Sequence, residues 1–220
     1  MISDIRLVVF DLDGTLVDSM SAFADYAAKI MQNNYSIGHS KARSLYLETS
    51  GLTFRQQLER IFPGHYQNQA VANIFEEWKK VSLKKGYKLR DGARDAIRKL
   101  LERGLVVCIS SNNVQEHVDK VVKRCGLRIQ TALGYRHDGF GKGAAHFQWL
   151  EQKFGTPRSQ MIFVGDSPND YLLSCDAGVS FVALTVTFDA KIFKMLHQDI
   201  PCFSELRSAT TWILRHTIIN

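Results

Sequence analysis

Asp11 and Asp13 stand one residue apart directly after the apolar run Leu7–Phe10, and Gly14 and Thr15 follow them. In a straight strand both carboxylates point to the same side, and a glycine just beyond lets the backbone turn sharply. Acids so placed could hold a magnesium ion, one as nucleophile and the other as proton carrier. They could also be solvated acids capping a turn. Further along, Ser110 and Ser111 follow Leu105–Ile109, Lys142 sits among glycines in Gly139-Phe140-Gly141-Lys142-Gly143, and Asp166 and Asp170 follow Met161–Val164. Acids, a hydroxyl and a lysine gathered at one place make a metal-assisted phosphate site easy to build. The cation offsets carboxylate repulsion and the lysine offsets phosphoryl charge. Taken singly, the serines could cap a helix, the lysine could be solvated, and Gly165–Asp170 could be a helix-capping turn. The order of these stretches along the chain favours the joint reading.

The elements that would position them read as follows. Short β-branched runs at 7–10, 105–109 and 161–164 are buried-type strands, with another strand at 181–186 and a weaker one at 129–134. Helical spacing of apolar residues separates them, in Ala93–Leu101, Val114–Cys125 and Ala144–Phe154, and a last helix spans Ser204–His216 with Leu206, Trp212 and Ile213 inside. Strands alternating with such helices imply an α/β fold, a doubly wound, Rossmann-like parallel sheet. Its strand ends face one edge, where Asp11, Asp13, Ser110 or Ser111, Lys142, Asp166 and Asp170 can converge. Residues 17–88 differ in character. Asp18-Ser19 suit a helix N-cap, Lys41–Glu48 suits a second helix, and Thr53 suits the cap of a third. A fourth, Asn68–Lys85, carries Val71, Ile74, Phe75, Trp78 and Val81 on one face. This predicts an all-helical insert, 17–88, within a discontinuous α/β domain of 1–16 and 89–220.

The 220 residues suffice for a sizeable core with one smaller insert, and 45% hydrophobic with 23% charged content is ordinary for a globular chain. No apolar run approaches the roughly 20 residues of a membrane helix, and Met1–Arg6 lacks a signal-peptide pattern, so a cytoplasmic protein is expected. Cys108, Cys125, Cys175 and Cys202 form no Cys-x-x-Cys pair and read as reduced packing thiols. The net charge of +6 suits anionic partners. Its densest basic run, Lys79-Lys80, Lys84-Lys85, Lys88 and Arg90, reads as a solvated helix end. It lacks interleaved aromatics for stacking on bases, so no nucleic acid is expected.

Phe10-Asp11-Leu12-Asp13-Gly14-Thr15-Leu16-Val17-Asp18-Ser19 resembles the first signature of the haloacid dehalogenase superfamily. The later Ser-Asn strand, loop lysine and Gly165-Asp166-Ser167-Pro168-Asn169-Asp170 extend the resemblance over nearly the whole chain, closest to the phosphoglycolate phosphatase-like branch. The resemblance implies a magnesium-dependent phosphatase acting on a small phosphorylated metabolite, with 17–88 as its helical cap. Asp11 would be the nucleophile and Asp13 the acid–base. Ser111, matched better than Ser110 by one residue, would hold the phosphoryl group with Gly14, Thr15 and Asn112. Lys142 would steady the nucleophile. Asp11, Asp166 and the backbone carbonyl of Asp13 would hold magnesium, with Asp170 a further ligand or a supporting acid. Apart from the resemblance, Arg55, just after Gly51-Leu52-Thr53, reads as a solvated residue at a helix start or, as a hypothesis, as the residue that reads the substrate from the cap. True dehalogenases of this kind lack an acid at the place of Asp13, so dehalogenation drops out. A β-phosphoglucomutase-type mutase and a non-catalytic scaffold are the alternatives. Gly143 stands where the family often has proline, and Asp91-Gly92 where it often has Pro-Gly.

Overall fold

A computed structural model describes residues 4–86, 88–136 and 138–217. In chain order its elements are β1 (Leu7–Phe10), α1 (Met20–Asn34), α2 (His39–Glu48), α3 (Phe54–Ile61), α4 (Asn68–Lys85), α5 (Ala93–Glu102), β2 (Val106–Val114), α6 (Gln115–Cys125), β3 (Thr131–Tyr135), α7 (Ala144–Phe154), β4 (Met161–Gly165), α8 (Pro168–Asp176), β5 (Ser180–Leu184), α9 (Ala190–Leu196), β6 (Cys202–Phe203) and α10 (Leu206–Arg215). The strands form one sheet in the order β3-β2-β1-β4-β5-β6, every neighbour parallel. This is the doubly wound α/β arrangement the alternation implies. β1 is fully buried at its centre, pairing Leu7–Phe10 with Val106–Ile109 on one side and Met161–Val164 on the other.

By internal contacts the chain divides into two compact units, Met1–Val17 with Leu89–Asn220, and Asp18–Lys88. Val17 belongs with the sheet because it bridges to Leu89 in antiparallel fashion. Each unit has its own core. In the sheet unit, Leu7, Val9, Cys108, Met161, Phe163 and Phe181 meet Phe147 and Leu150 of α7 on one face. In the helical unit, Phe23, Ala27 and Met31 of α1 meet Tyr46, Phe54, Leu58 and Phe75. Each large aliphatic or phenylalanine side chain among them contributes about 1.5–3 kcal/mol by burial.

Local details correct several expectations. Ser19 precedes α1, but its hydroxyl does not cap it. The serine run does not cap α6 either, because β2 continues through it to Val114. Thr53 does cap α3, in a reciprocal box with Gln56. On α4, Ile74 and Val81 are exposed rather than buried with Phe75. Lys79 is not a solvated helix-end lysine. It is buried, with Nζ 5.0 Å and 4.9 Å from the ring centres of Phe23 and Phe75. The side chains of Lys84 and Lys85 lie outside the described residues. Trp212 is half-buried, and Cys175 is exposed rather than packed. Among the described residues no helix is long and apolar enough to cross a membrane.

Candidate active site

Strand order runs outward from β1 through β2 to β3 on one side and through β4 and β5 to β6 on the other. The carboxyl ends of β1 and β4 therefore flank the crevice where open α/β sheets bind ligands. Asp11 continues β1, its N–H donating to the Val164 carbonyl at 2.8 Å. After it the chain curls into a tight loop in which the Gly14 N–H donates to Val17 and the Leu16 and Val17 N–H groups donate to Leu12. Gly14 is required there twice over. Its φ is +84°, and a Cβ would lie 2.1 Å from Asp166 Oδ2. The Arg90 guanidinium fastens the loop by donating to the Gly14 carbonyl at 2.9 Å.

Around this loop gather Asp11, Asp166 and Asp170, all buried, each offering an oxygen within 4.8 Å of the others. Asp166 follows β4, and Asp170 lies in the first turn of α8. There Asp170 Oδ2 accepts from the Ser167 N–H at 3.1 Å, one half of a capping box. Lys142 enters from the loop before α7, its Nζ 2.6 Å from Asp11 Oδ1 and 2.5 Å from Asp170 Oδ1. The Thr15 hydroxyl donates to Asp166 Oδ1 at 3.4 Å. Asp13 is half-buried, and its carboxylate faces the side-chain amide of Asn113 rather than the acidic cluster.

Three buried carboxylates against one buried ammonium leave an excess of negative charge, which the pKa directions register. Burial raises the Asp11 carboxyl well above its usual range, with Asp170 and Asp166 adding to it and Lys142 opposing. Burial and then Asp170 push Asp166 up to about 7. Burial alone would depress Lys142, but Asp11 and Asp170 outweigh it and hold its pKa above the ordinary value. Oxygen donors carrying surplus negative charge are the donor set a hard divalent cation takes, so these residues fit magnesium.

Ser110 and Ser111 have different surroundings. The buried Ser110 hydroxyl lies 2.8 Å from His146 Nδ1 on α7, whereas Ser111 Oγ accepts from the Asn113 N–H at 3.2 Å. Burial, then Lys142 and Arg136, carry the His146 pKa down to about 3, so the ring is neutral. Asn112 is half-buried beside them. Arg55 lies in the helical unit, exposed on the first turn of α3.

Asn113, His146 and Thr187 carry contacts that the sequence did not mark, and Arg90, expected in a solvated helix end, is instead half-buried against the Gly14 carbonyl. Thr187, just past β5, donates its hydroxyl to Asp166 Oδ2. A polar residue directly after another strand of the same sheet was the available signal for Thr187, and the second asparagine of Asn112-Asn113 was the signal for Asn113.

A family model of haloacid dehalogenase-like hydrolases matches residues 8–184. The chain is 28% identical to a phosphoglycolate phosphatase of Mannheimia succiniciproducens over 213 residues, 86% of this chain and 89% of that one. It is 27% identical to a phosphoglycolate phosphatase of Pseudomonas fluorescens, covering 84% and 71% respectively. Among solved structures, a predicted phosphatase from Clostridium acetobutylicum superposes with a TM-score of 0.83 at 17% identity, covering 97% of this chain and 100% of that one. A predicted phosphoglycolate phosphatase from Haemophilus somnus does so with 0.74 at 20% identity, covering 95% and 98%. At such identities these structures speak for the fold alone.

Proposed function

The chain belongs to the haloacid dehalogenase-like hydrolase family, and from that premise we propose that it is a cytoplasmic, magnesium-dependent phosphatase of small phosphate monoesters working through an aspartyl-phosphate. The observation that carries this reading is Asp11, ion-paired to Lys142 beside Asp166, with a second carboxylate two residues on that stays outside the cluster. Asp11 Oδ1 is engaged by Lys142, which leaves Oδ2 to attack phosphorus. As the new P–O bond forms, the ester P–O bond breaks and the departing oxygen takes a proton from Asp13. In the second displacement Asp13 takes a proton from water, the water oxygen bonds to phosphorus, and Asp11 is released with inorganic phosphate.

Asp11, Asp166 and the Asp13 backbone carbonyl would hold the magnesium ion, and Asp170 supports them by holding Lys142. When bound, the ion supplies positive charge against the carboxylates and the phosphoryl oxygens. Lys142 adds its ammonium to the same charge balance, and Ser111, with Gly14, Thr15 and Asn112, receives the phosphoryl group. The helical unit is proposed as the cap that excludes water during the first displacement, with Arg55 reading the substrate from it. The names of the relatives make 2-phosphoglycolate the first ester to try.

Release of inorganic phosphate from a panel of phosphate esters, with and without magnesium, tests the reading. Turnover that needs magnesium and falls at least about 10³-fold in Asp11→Asn is expected. The same panel with Arg55→Ala should change the ranking of esters, and an unchanged ranking removes Arg55 from substrate reading. No phosphate release from any ester, by folded protein with magnesium, would overturn the proposed activity.

A further inference from the structure

Asn113 projects from β2 where the pairing of β2 with β3 shifts register, between Ser110 and Val114. Such irregularities re-aim side chains, and they collect next to active sites. This one is built in by its neighbours. The side-chain amide of Gln115 stands in for the interrupted ladder, accepting from the Gly134 N–H at 2.7 Å and donating to the Ala132 carbonyl at 3.0 Å. Gly134 leaves room for it. A Cβ there would lie 2.8 Å from the Asn113 carbonyl oxygen and 2.6 Å from Gln115 Cα. The side chain so presented is buried, 6% exposed, and its Nδ2 donates to Asp13 Oδ2 across 100 residues of sequence.

We infer that Asn113 is a positioning residue for proton transfer by Asp13, an inference that rests on the phosphatase reading above. The amide at Oδ2 fixes the plane of the Asp13 carboxyl group and so the direction in which it meets the departing oxygen. In the first displacement Asp11 bonds to phosphorus, the ester bond breaks with its electron pair on the departing oxygen, and that oxygen takes a proton from Asp13. An alkoxide needs that proton in order to leave, whereas 4-nitrophenolate leaves without it. Loss of orientation at Asp13 is thus felt selectively by alkyl esters, while a general loosening of the site would weaken both classes alike.

The test compares kcat/KM, which reports steps through the first displacement, for an alkyl phosphate and for 4-nitrophenyl phosphate with magnesium. Asn113→Ala is expected to lower it about 100-fold for the alkyl ester and less than about 3-fold for the nitrophenyl ester, in keeping with the scale of general acid catalysis. Asp13→Asn should show the same selectivity, and adding Asn113→Ala to it should cost nothing more. Without metal or substrate, the Asn113 side-chain amide protons in a nitrogen-15 NMR spectrum should shift upfield in Asp13→Ala. Equal losses for both esters, full activity of Asn113→Ala, or amide resonances indifferent to Asp13 would overturn the inference while leaving the phosphatase reading intact. Wild type inert toward both esters would overturn the reading and the inference together.

Discussion

Burial and the Asp170 carboxylate push the Asp166 carboxyl up to about 7, with the Thr187 hydroxyl pulling the other way. In the unfolded chain the same carboxyl titrates near about 3.9. The folded protein therefore keeps a proton that the unfolded chain has released. The stability tied to that proton is fully present below about pH 4 and is lost as pH rises through about 7. Metal-free protein should melt at a lower temperature at pH 8 than at pH 5.5, on a scale of about 2–4 °C per kcal/mol for a chain of this size. Magnesium should flatten the slope, because a bound cation holds Asp166 ionised. Asp166→Asn should flatten it too, in the absence of metal. Thermal melts across pH with EDTA or magnesium check this, and a metal-free midpoint that rises toward pH 8 would contradict it. The aspartates and Lys142 were legible in the sequence because each lies directly beyond an apolar strand or in a glycine-rich loop, where local pattern marks the place. Asn113, His146 and Thr187 were not, since what matters about them is a partner 100, 36 and 21 residues away. No local pattern records such a pairing. The choice between Ser110 and Ser111 failed to resolve for a related reason. Consecutive strand residues point to opposite faces, and only the fold shows that Ser110 turns to α7.

At the scale of elements, the sheet was readable from its buried runs, and its least readable part was the stretch after β5. Neither α9 nor β6 was expected. α9 is only seven residues long and buries Phe193 while exposing Ile192, Met195 and Leu196, so its apolar residues mark no single face. β6 has two residues, too few for any alternation to show. What fixes α9 is tertiary. The Asp189 side chain accepts from the Lys191 N–H at 2.8 Å, and Phe193 enters the sheet's core with its ring 6.2 Å from that of Phe181. Because one side chain carries the attachment, Phe193→Ala should cost about 3–5 kcal/mol, the usual range for emptying a buried aromatic site. Leu196→Ala, at an exposed position of the same helix, should cost less than about 0.5 kcal/mol. Equilibrium unfolding in urea measures both, and similar losses would mean that α9 is held by its exposed face instead.

At the scale of the molecule, the two units have separate cores drawn wholly from their own residues. All four groups of the buried ionic cluster, Asp11, Lys142, Asp166 and Asp170, belong to the sheet unit. The helical unit begins and ends at nearly one point, for the Asp18 N–H donates to the Lys88 carbonyl at 2.9 Å. A chain that leaves and returns so closely can be shortened there without stretching either end, and closing a short loop costs little entropy. A variant with residues 19–87 replaced by a short Gly-Ser linker should therefore fold and melt in a single cooperative transition. It should also keep the surplus negative charge of its site, so its melting temperature should still rise with magnesium. Its hydrolysis of small esters should fall by far more than its response to magnesium, because the proposed exclusion of water is lost while the donor oxygens stay. Calorimetry with and without magnesium, alongside phosphate release, separates these expectations. A cooperative fold that no longer responds to magnesium would place essential donors in the helical unit. Failure to fold at all would mean that the sheet's core is not sufficient by itself, despite containing every strand.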